Sequence, residues 1–191
     1  MRAIAAVFLV VSATVLQGCF PLAAVGIGAT ALALDDRRST GLYIEDENIE
    51  WRVRAKLIEK NKDAHINATS YNLTVLLTGE VSSEDVKKEI GEAIRGISNV
   101  RGVTNEIAIG GNASLASRSS DAITTTNVKA RLINNGKVSP NHVKVVTESG
   151  VVYLLGIVTR QESDAAAEIA RTTSGVSRVV KVFEYIDSAP K

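Results

Sequence analysis

The feature that most limits what this chain can fold into is an internal repeat. Val53-Arg54-Ala55-Lys56-Leu57-Ile58 matches Val128-Lys129-Ala130-Arg131-Leu132-Ile133, and His65-Ile66 matches His142-Val143. Val75-Leu76-Leu77-Thr78-Gly79-Glu80-Val81 matches Val152-Tyr153-Leu154-Leu155-Gly156-Ile157-Val158. Glu92-Ala93-Ile94-Arg95 matches Glu168-Ile169-Ala170-Arg171, and Val100-Arg101-Gly102-Val103 matches Val176-Ser177-Arg178-Val179. The offset stays between 75 and 77, a drift that two small insertions explain. Each copy of such a repeat is a folding unit of its own kind. The 191 residues therefore hold two small domains rather than one ordinary one.

Both copies read in the same order. A helix is expected at 47–60 and again at 121–134. Ile49, Val53 and Leu57 fall at i, i+4 and i+8, one helical stripe, which Val128 and Leu132 continue in the second copy. Asp121 suits an N-cap, and Asn134-Asn135-Gly136 a stop. Strands Ile66–Ser70 and Val143–Thr147 follow, then turns at Tyr71-Asn72 and Glu148-Ser149-Gly150, then second strands ending at Val81 and Val158. A second helix is expected at 83–96 and 160–173, with Val86, Ile90, Ala93 and Ile94 as its apolar face in the first copy. Strands Val100–Ile109 and Val176–Ile186 close the units. The fold class is α+β: two tandem αββαβ domains, each a three-stranded mixed sheet with two helices packed on one face. The domains are placed at 47–110 and 121–187, joined by a Gly/Ser-rich linker at 111–120.

The N-terminal residues read as a targeting segment. Met1-Arg2 is a short basic start, and Ala3–Leu16 is an apolar run. At roughly 14 residues the run is too short to span a bilayer, which takes ~20, and it has signal-peptide proportions. Leu16-Gln17-Gly18-Cys19 resembles the lipobox of bacterial lipoproteins. The resemblance implies a signal peptide at 1–18, cleavage before Cys19, and acylation of Cys19, each buried CH₂ contributing ~0.8 kcal/mol of attachment. Phe20 rather than Asp follows the cysteine, which by the sorting pattern of Gram-negative lipoproteins implies the outer membrane, facing the periplasm. Residues 19–46 are read as a tether; its apolar Phe20–Leu34 part lies against lipid or packs on the folded domains.

Each unit also carries Leu-x-Gly-x-Val (Leu77–Val81, Leu154–Val158) and a later Val-x-x-Val (Val100–Val103, Val176–Val179). Paired units of this kind behind a lipobox resemble the dual BON-domain outer-membrane lipoproteins of Gram-negative bacteria. The resemblance runs from Met1 to Ile186. It implies phospholipid binding, a role in keeping the outer membrane intact, and no active site.

The residue inventory gives catalysis little to work with. One cysteine and two histidines make neither an internal disulfide nor a zinc site, and they leave little room for metal chemistry. His65 and His142 occupy equivalent strand starts, where they are read as turn or capping residues ahead of a pH sensor. No carboxylate pair with a nearby base and no phosphate-binding glycine loop is present. No catalytic residue, cofactor or metal is expected. The net charge of +1 supplies no global field for nucleic acid. Gly79 and Gly156, inside strands, mark a close helix–sheet contact or a bulge.

The informative surplus is a second apolar stripe on the first helix of each unit. Trp51, Ala55 and Ile58 lie opposite the core stripe in the first unit; Ile123, Thr126, Ala130 and Ile133 do so in the second. A helix on a sheet buries one stripe, so the other must meet the second helix, the other domain or lipid. Strand Val151–Val158 is apolar on both faces, which argues for burial between the domains, and Trp51 is expected in the core or at that interface, with a membrane-interface anchor as the alternative. Residues 121–186 carry eight Lys/Arg against six Asp/Glu, while 47–110 carry nine against ten. A basic amphipathic helix suits an anionic bilayer. Ile123, Thr126, Lys129, Ala130, Arg131, Ile133 and Lys137 are therefore the candidate phospholipid-binding residues, with phosphatidylglycerol or cardiolipin as partner. The alternative is a scaffold whose stripes dock an envelope-assembly or cell-wall protein.

Overall fold

The computed structural model describes residues 36–60, 65–111 and 113–188. Cys19, the expected signal peptide and most of the tether lie outside the described residues. The elements run α1 (Thr40–Lys60), β1 (His65–Tyr71), β2 (Thr74–Val81), α2 (Glu84–Arg95), β3 (Gly102–Asn105), β4 (Ala108–Ile109), α3 (Leu115–Asn135), a 3₁₀ turn (Pro140–His142), β5 (Val143–Glu148), β6 (Val151–Val158), α4 (Arg160–Arg171) and β7 (Arg178–Tyr185). In the first domain β2 pairs antiparallel with β1 and parallel with β3 and β4. In the second, β6 lies between antiparallel β5 and parallel β7. The order αββαβ is as the periodicity indicates and both sheets are mixed as expected, but the first has four strands where three are expected.

Strand alternation explains the layers. Val75, Leu77 and Val81 of β2 face the helices, where they bury Ile49, Val53 and Leu57 of α1 and Ile90 and Ile94 of α2. Val152, Leu154 and Val158 of β6 do the same for Val128 and Leu132 of α3 and Ala166, Ile169 and Ala170 of α4. The intervening residues point the other way. Leu76 with Tyr71, and Tyr153 with Leu155, form a third buried cluster, so the two sheets meet on their helix-free faces. This is the burial between domains that the two-sided apolarity of Val151–Val158 calls for.

Gly79 and Gly156 have a different role from the one expected. A Cβ on either would collide with the backbone carbonyl of a histidine, His65 at the start of β1 or His142 just before β5. Gly79 also has φ +111, outside the range other residues favour. The close approach is strand to strand, not helix to sheet, and it places the two histidines.

Several boundaries move. α1 starts at Thr40, because the Ser39 hydroxyl accepts the Leu42 N–H at 3.3 Å. α3 starts at Leu115, where Ser114 caps by accepting the Ser117 N–H at 3.1 Å, so more than half of the expected linker is helix. Asp121 is consequently not an N-cap. It lies inside α3, buried, and accepts the Ser149 and Gly150 N–H groups at 2.8 Å each. Its repeat equivalent Asp46 accepts the Asn72 and Leu73 N–H groups at 2.8 Å each, and the Ser70 hydroxyl at 2.7 Å. Each first helix thus fixes its own hairpin turn through one buried carboxylate. Both turns have two consecutive residues at positive φ, Asn72-Leu73 and Ser149-Gly150, the geometry of a tight type I′ connection. The closing strand of the first domain is split at Glu106-Ile107, where Ile107 turns into the core. The helix stop at Gly136 is as expected, with φ 68.

Candidate lipid-facing surface

The outer face of α3 is built by elimination. Asp121, Thr124, Val128 and Leu132 turn inward, and the residues opposite them are left in solvent. Ile123 is 62% exposed and Ile133 60%. Thr126 and Ala130 lie exposed between them, and the Thr126 hydroxyl donates to the Ala122 carbonyl at 2.9 Å. Lys129 is exposed at the edge of this stripe and, with Ile133, lines a cleft whose opposite wall holds Arg38, Tyr43 and Glu47 of the first domain. Neither Lys129 nor Lys137 makes an ion pair among the described residues. Lys137 follows the helix stop and reaches a separate depression beside Thr159 and Tyr185. The seven candidates therefore do not form one cluster: Ile123, Thr126, Lys129, Ala130 and Ile133 share a face, and Lys137 sits apart.

Arg131 belongs to neither. Its guanidinium donates to the Ile169 carbonyl at 3.0 Å, the Thr173 hydroxyl at 2.7 Å and the Thr172 hydroxyl at 3.0 Å. It closes the C-terminal end of α4, where a cation meets unsatisfied carbonyls. Sequence spacing shows charge but not this commitment.

The first domain presents a matching face. Trp51 is 66% exposed, against the expectation of a core or interface position, and Ile58 and Ile44 are exposed on the same side of α1. The reason is geometric: the core side of α1 is already filled by Ile49, Val53, Leu57 and the buried Asp46, which leaves Trp51 pointing outward. The Arg54 guanidinium lies 5.4 Å from the Trp51 ring centroid. In the repeat alignment Trp51 corresponds to Thr126, Arg54 to Lys129 and Ile58 to Ile133.

The two outer faces are held in register by polar contacts between the domains. Arg37, just before α1, forms a two-pronged pair with Glu162 at 2.8 Å per bond and donates to the Ile157 carbonyl at 2.7 Å. Burial pushes the Glu162 carboxyl up. The bonds from Arg37, with those from the Thr159 backbone and hydroxyl, outweigh it and hold the group at about 2. Arg38 donates to Asp36 and to the buried Asp46, and its guanidinium lies 4.1 Å from the Tyr71 ring centroid. Lys144 pairs with Glu50 at 3.0 Å, and Asn72 donates to Glu184 at 3.0 Å. The histidines both face carboxylates: His65 Nδ1 is 3.4 Å from Glu80, and His142 Nδ1 is 3.6 Å from Glu162. No described helix is long and apolar enough to cross a membrane.

The model of the BON domain matches residues 45–111 and 120–187, and the chain belongs to the BON-domain family. It is 41% identical to the outer membrane lipoprotein DolP of Haemophilus influenzae over 177 residues, covering 90% of this chain and 91% of that one. It is 36% identical to the 21 kDa hemolysin of Actinobacillus pleuropneumoniae over 79% of each chain. It is 31% identical to the osmotically-inducible protein Y of Escherichia coli over 73% of this chain and 72% of that one.

Proposed function

We propose that this is an outer-membrane lipoprotein, acylated at Cys19, whose second BON domain binds anionic phospholipid through the outer face of α3 and so supports the integrity of the membrane by binding rather than catalysis. The observation that carries the reading is the exposed pair Ile123 and Ile133 flanking Lys129 on one helix face. Covering such an isoleucine is worth roughly 1–2 kcal/mol, and a lysine near an anionic leaflet adds ~1 kcal/mol. A chain already held at the membrane needs no more than this modest affinity, because the anchor raises the local concentration of lipid. The 41% identity to an outer membrane lipoprotein supports the location, as does the lipobox-like Leu16–Cys19.

The test is flotation of the anchor-free protein, residues 35–191, with neutral or anionic vesicles of phosphatidylcholine with or without phosphatidylglycerol or cardiolipin. Wild type is expected to float only with anionic vesicles, and Ile123→Asp and Lys129→Glu to stay at the bottom. Flotation equal in all three proteins, or none in wild type, overturns the reading.

The exposed Trp51–Ile58 face of α1 favours a second reading, in which that helix docks an envelope protein. Cross-linking from position 58 in intact cells would then trap one discrete species, and Trp51→Ala would remove it.

A further inference from the structure

We propose that His65, Glu80 and Glu148 bind a divalent transition-metal ion of the zinc class at the joint between the two domains. His65 and Glu80 are directly opposed across the β1–β2 ladder, and Glu148 comes from the end of β5 in the other domain. His65 Nδ1 lies 3.4 Å from Glu80 Oε2 and 3.9 Å from Glu148 Oε1, and one ligand atom from each of the three lies within 4.8 Å of the others. Two ligands bound tetrahedrally at about 2.0–2.1 Å sit ~3.4 Å apart, so the His65–Glu80 edge already has the needed length.

The second observation is the burial of two carboxylates side by side. Glu80 and Glu148 are 6% and 8% exposed, and among the described residues neither has a Lys or Arg within ion-pair distance. Burying two carboxylates costs several kcal/mol each unless compensated. An imidazolium at His65 would balance one negative charge. A divalent ion with neutral imidazole balances both. The surrounding hydrogen bonds fix the carboxylates without supplying charge. Asn67 and Thr78 donate to Glu148 Oε2 at 2.8 and 3.1 Å, while Ser149 Oγ donates to Glu80 Oε1 at 3.2 Å and the Ala113 N–H to Glu80 Oε2 at 3.1 Å. Such second partners orient ligands at metal sites. Glu148 Oε1 faces the imidazole. The nitrogen ligand selects a borderline metal over magnesium or calcium, which take all-oxygen sets. The second domain has no counterpart, because Ile157 stands where the first has Glu80.

The experiment uses the full chain carrying Cys19→Ser, so that no thiol competes, purified in detergent, stripped with EDTA and dialysed. Zinc chloride titrated by calorimetry is expected to show one equivalent bound, with thermal unfolding moving upward as free zinc rises. His65→Gln and Glu148→Gln, which keep shape and most hydrogen bonds, are expected to weaken binding more than ~100-fold, since even supporting groups around a metal are worth ~10–100-fold. Cobalt(II) gives a readout that needs no variant, an intense visible band from low-symmetry nitrogen–oxygen coordination. Absence of a bound equivalent in wild type, equal affinity in the variants, or an equal response to magnesium overturns the proposal.

Discussion

The two domains share a skeleton and differ in how tightly their parts are fastened. In the first, the buried Asp46 serves two turn N–H groups, the Ser70 hydroxyl and Arg38, and the turn it holds places Leu73 at φ 66. In the second, Asp121 serves two N–H groups, and the turn uses Gly150 at φ 74, which costs little. The closing strand differs in the opposite sense: β7 pairs with β6 along eight residues, whereas the first domain divides the same job between β3 and β4. Duplication thus kept the apolar stripes, the strand glycines and the helix-to-turn carboxylate, and let the fastening drift.

The largest expected effect tests that contrast. Asp46→Ala removes one of the two carboxylates that hold Arg38 and leaves the Ser70 hydroxyl and two strained-turn N–H groups without their acceptor, and it should cost about 3–5 kcal/mol in chemical denaturation. Asp121→Ala should cost about 2 kcal/mol. Equal losses would show that the extra partners of Asp46 contribute nothing. Leu155→Ala opens a cavity between the sheets and should cost about 2–4 kcal/mol. It should also separate the unfolding of the two domains into distinct calorimetric transitions, where wild type gives one.

A smaller effect depends on acid. Glu162 titrates at about 2 in the folded chain, below the ordinary carboxyl value of 4.5. Its contribution is therefore fully present above pH 4.5 and lost as pH falls toward 2. Wild type should lose thermal stability across that window more steeply than Arg37→Ala, whose curve lacks the partner that holds Glu162 ionised. Parallel curves would mean that the pair is solvent-screened. The smallest stability effect belongs to the outer faces: Ile133→Asp and Ile58→Asp should each change unfolding by less than about 0.5 kcal/mol. If lipid recognition sits on the second domain, only the first of these two abolishes flotation with anionic vesicles.

Much of the fold was legible because it is periodic. The stripe Ile49–Val53–Leu57 and the two-sided strand Val151–Val158 each announce what they bury. What stayed hidden depends on contacts distant in sequence. An aspartate ahead of an apolar run looks the same whether it caps its helix or reaches a turn 28 residues away, and Asp121 does the latter. Ser117–Ser120 reads as linker by composition, yet a Ser114 cap and the continuing inward face make it helix. The outer stripe of α3 was visible, but the engagement of Arg131 with α4 was not, because charge patterning says nothing of partners 38 to 42 positions on. The His65–Glu80–Glu148 cluster was equally invisible: counting cysteines and histidines addresses only compact ligand motifs, and Glu148 is supplied by the other repeat.

The position of Arg37 and Arg38 has a mechanical consequence. They are adjacent residues at the point where the N-terminal segment enters the folded body; Arg37 grips Glu162 of the second domain, and Arg38 grips Asp46 of the first. A pull arriving along the chain from its N-terminal side is divided at once between both domains. Neither α1 nor any strand has to bear it alone.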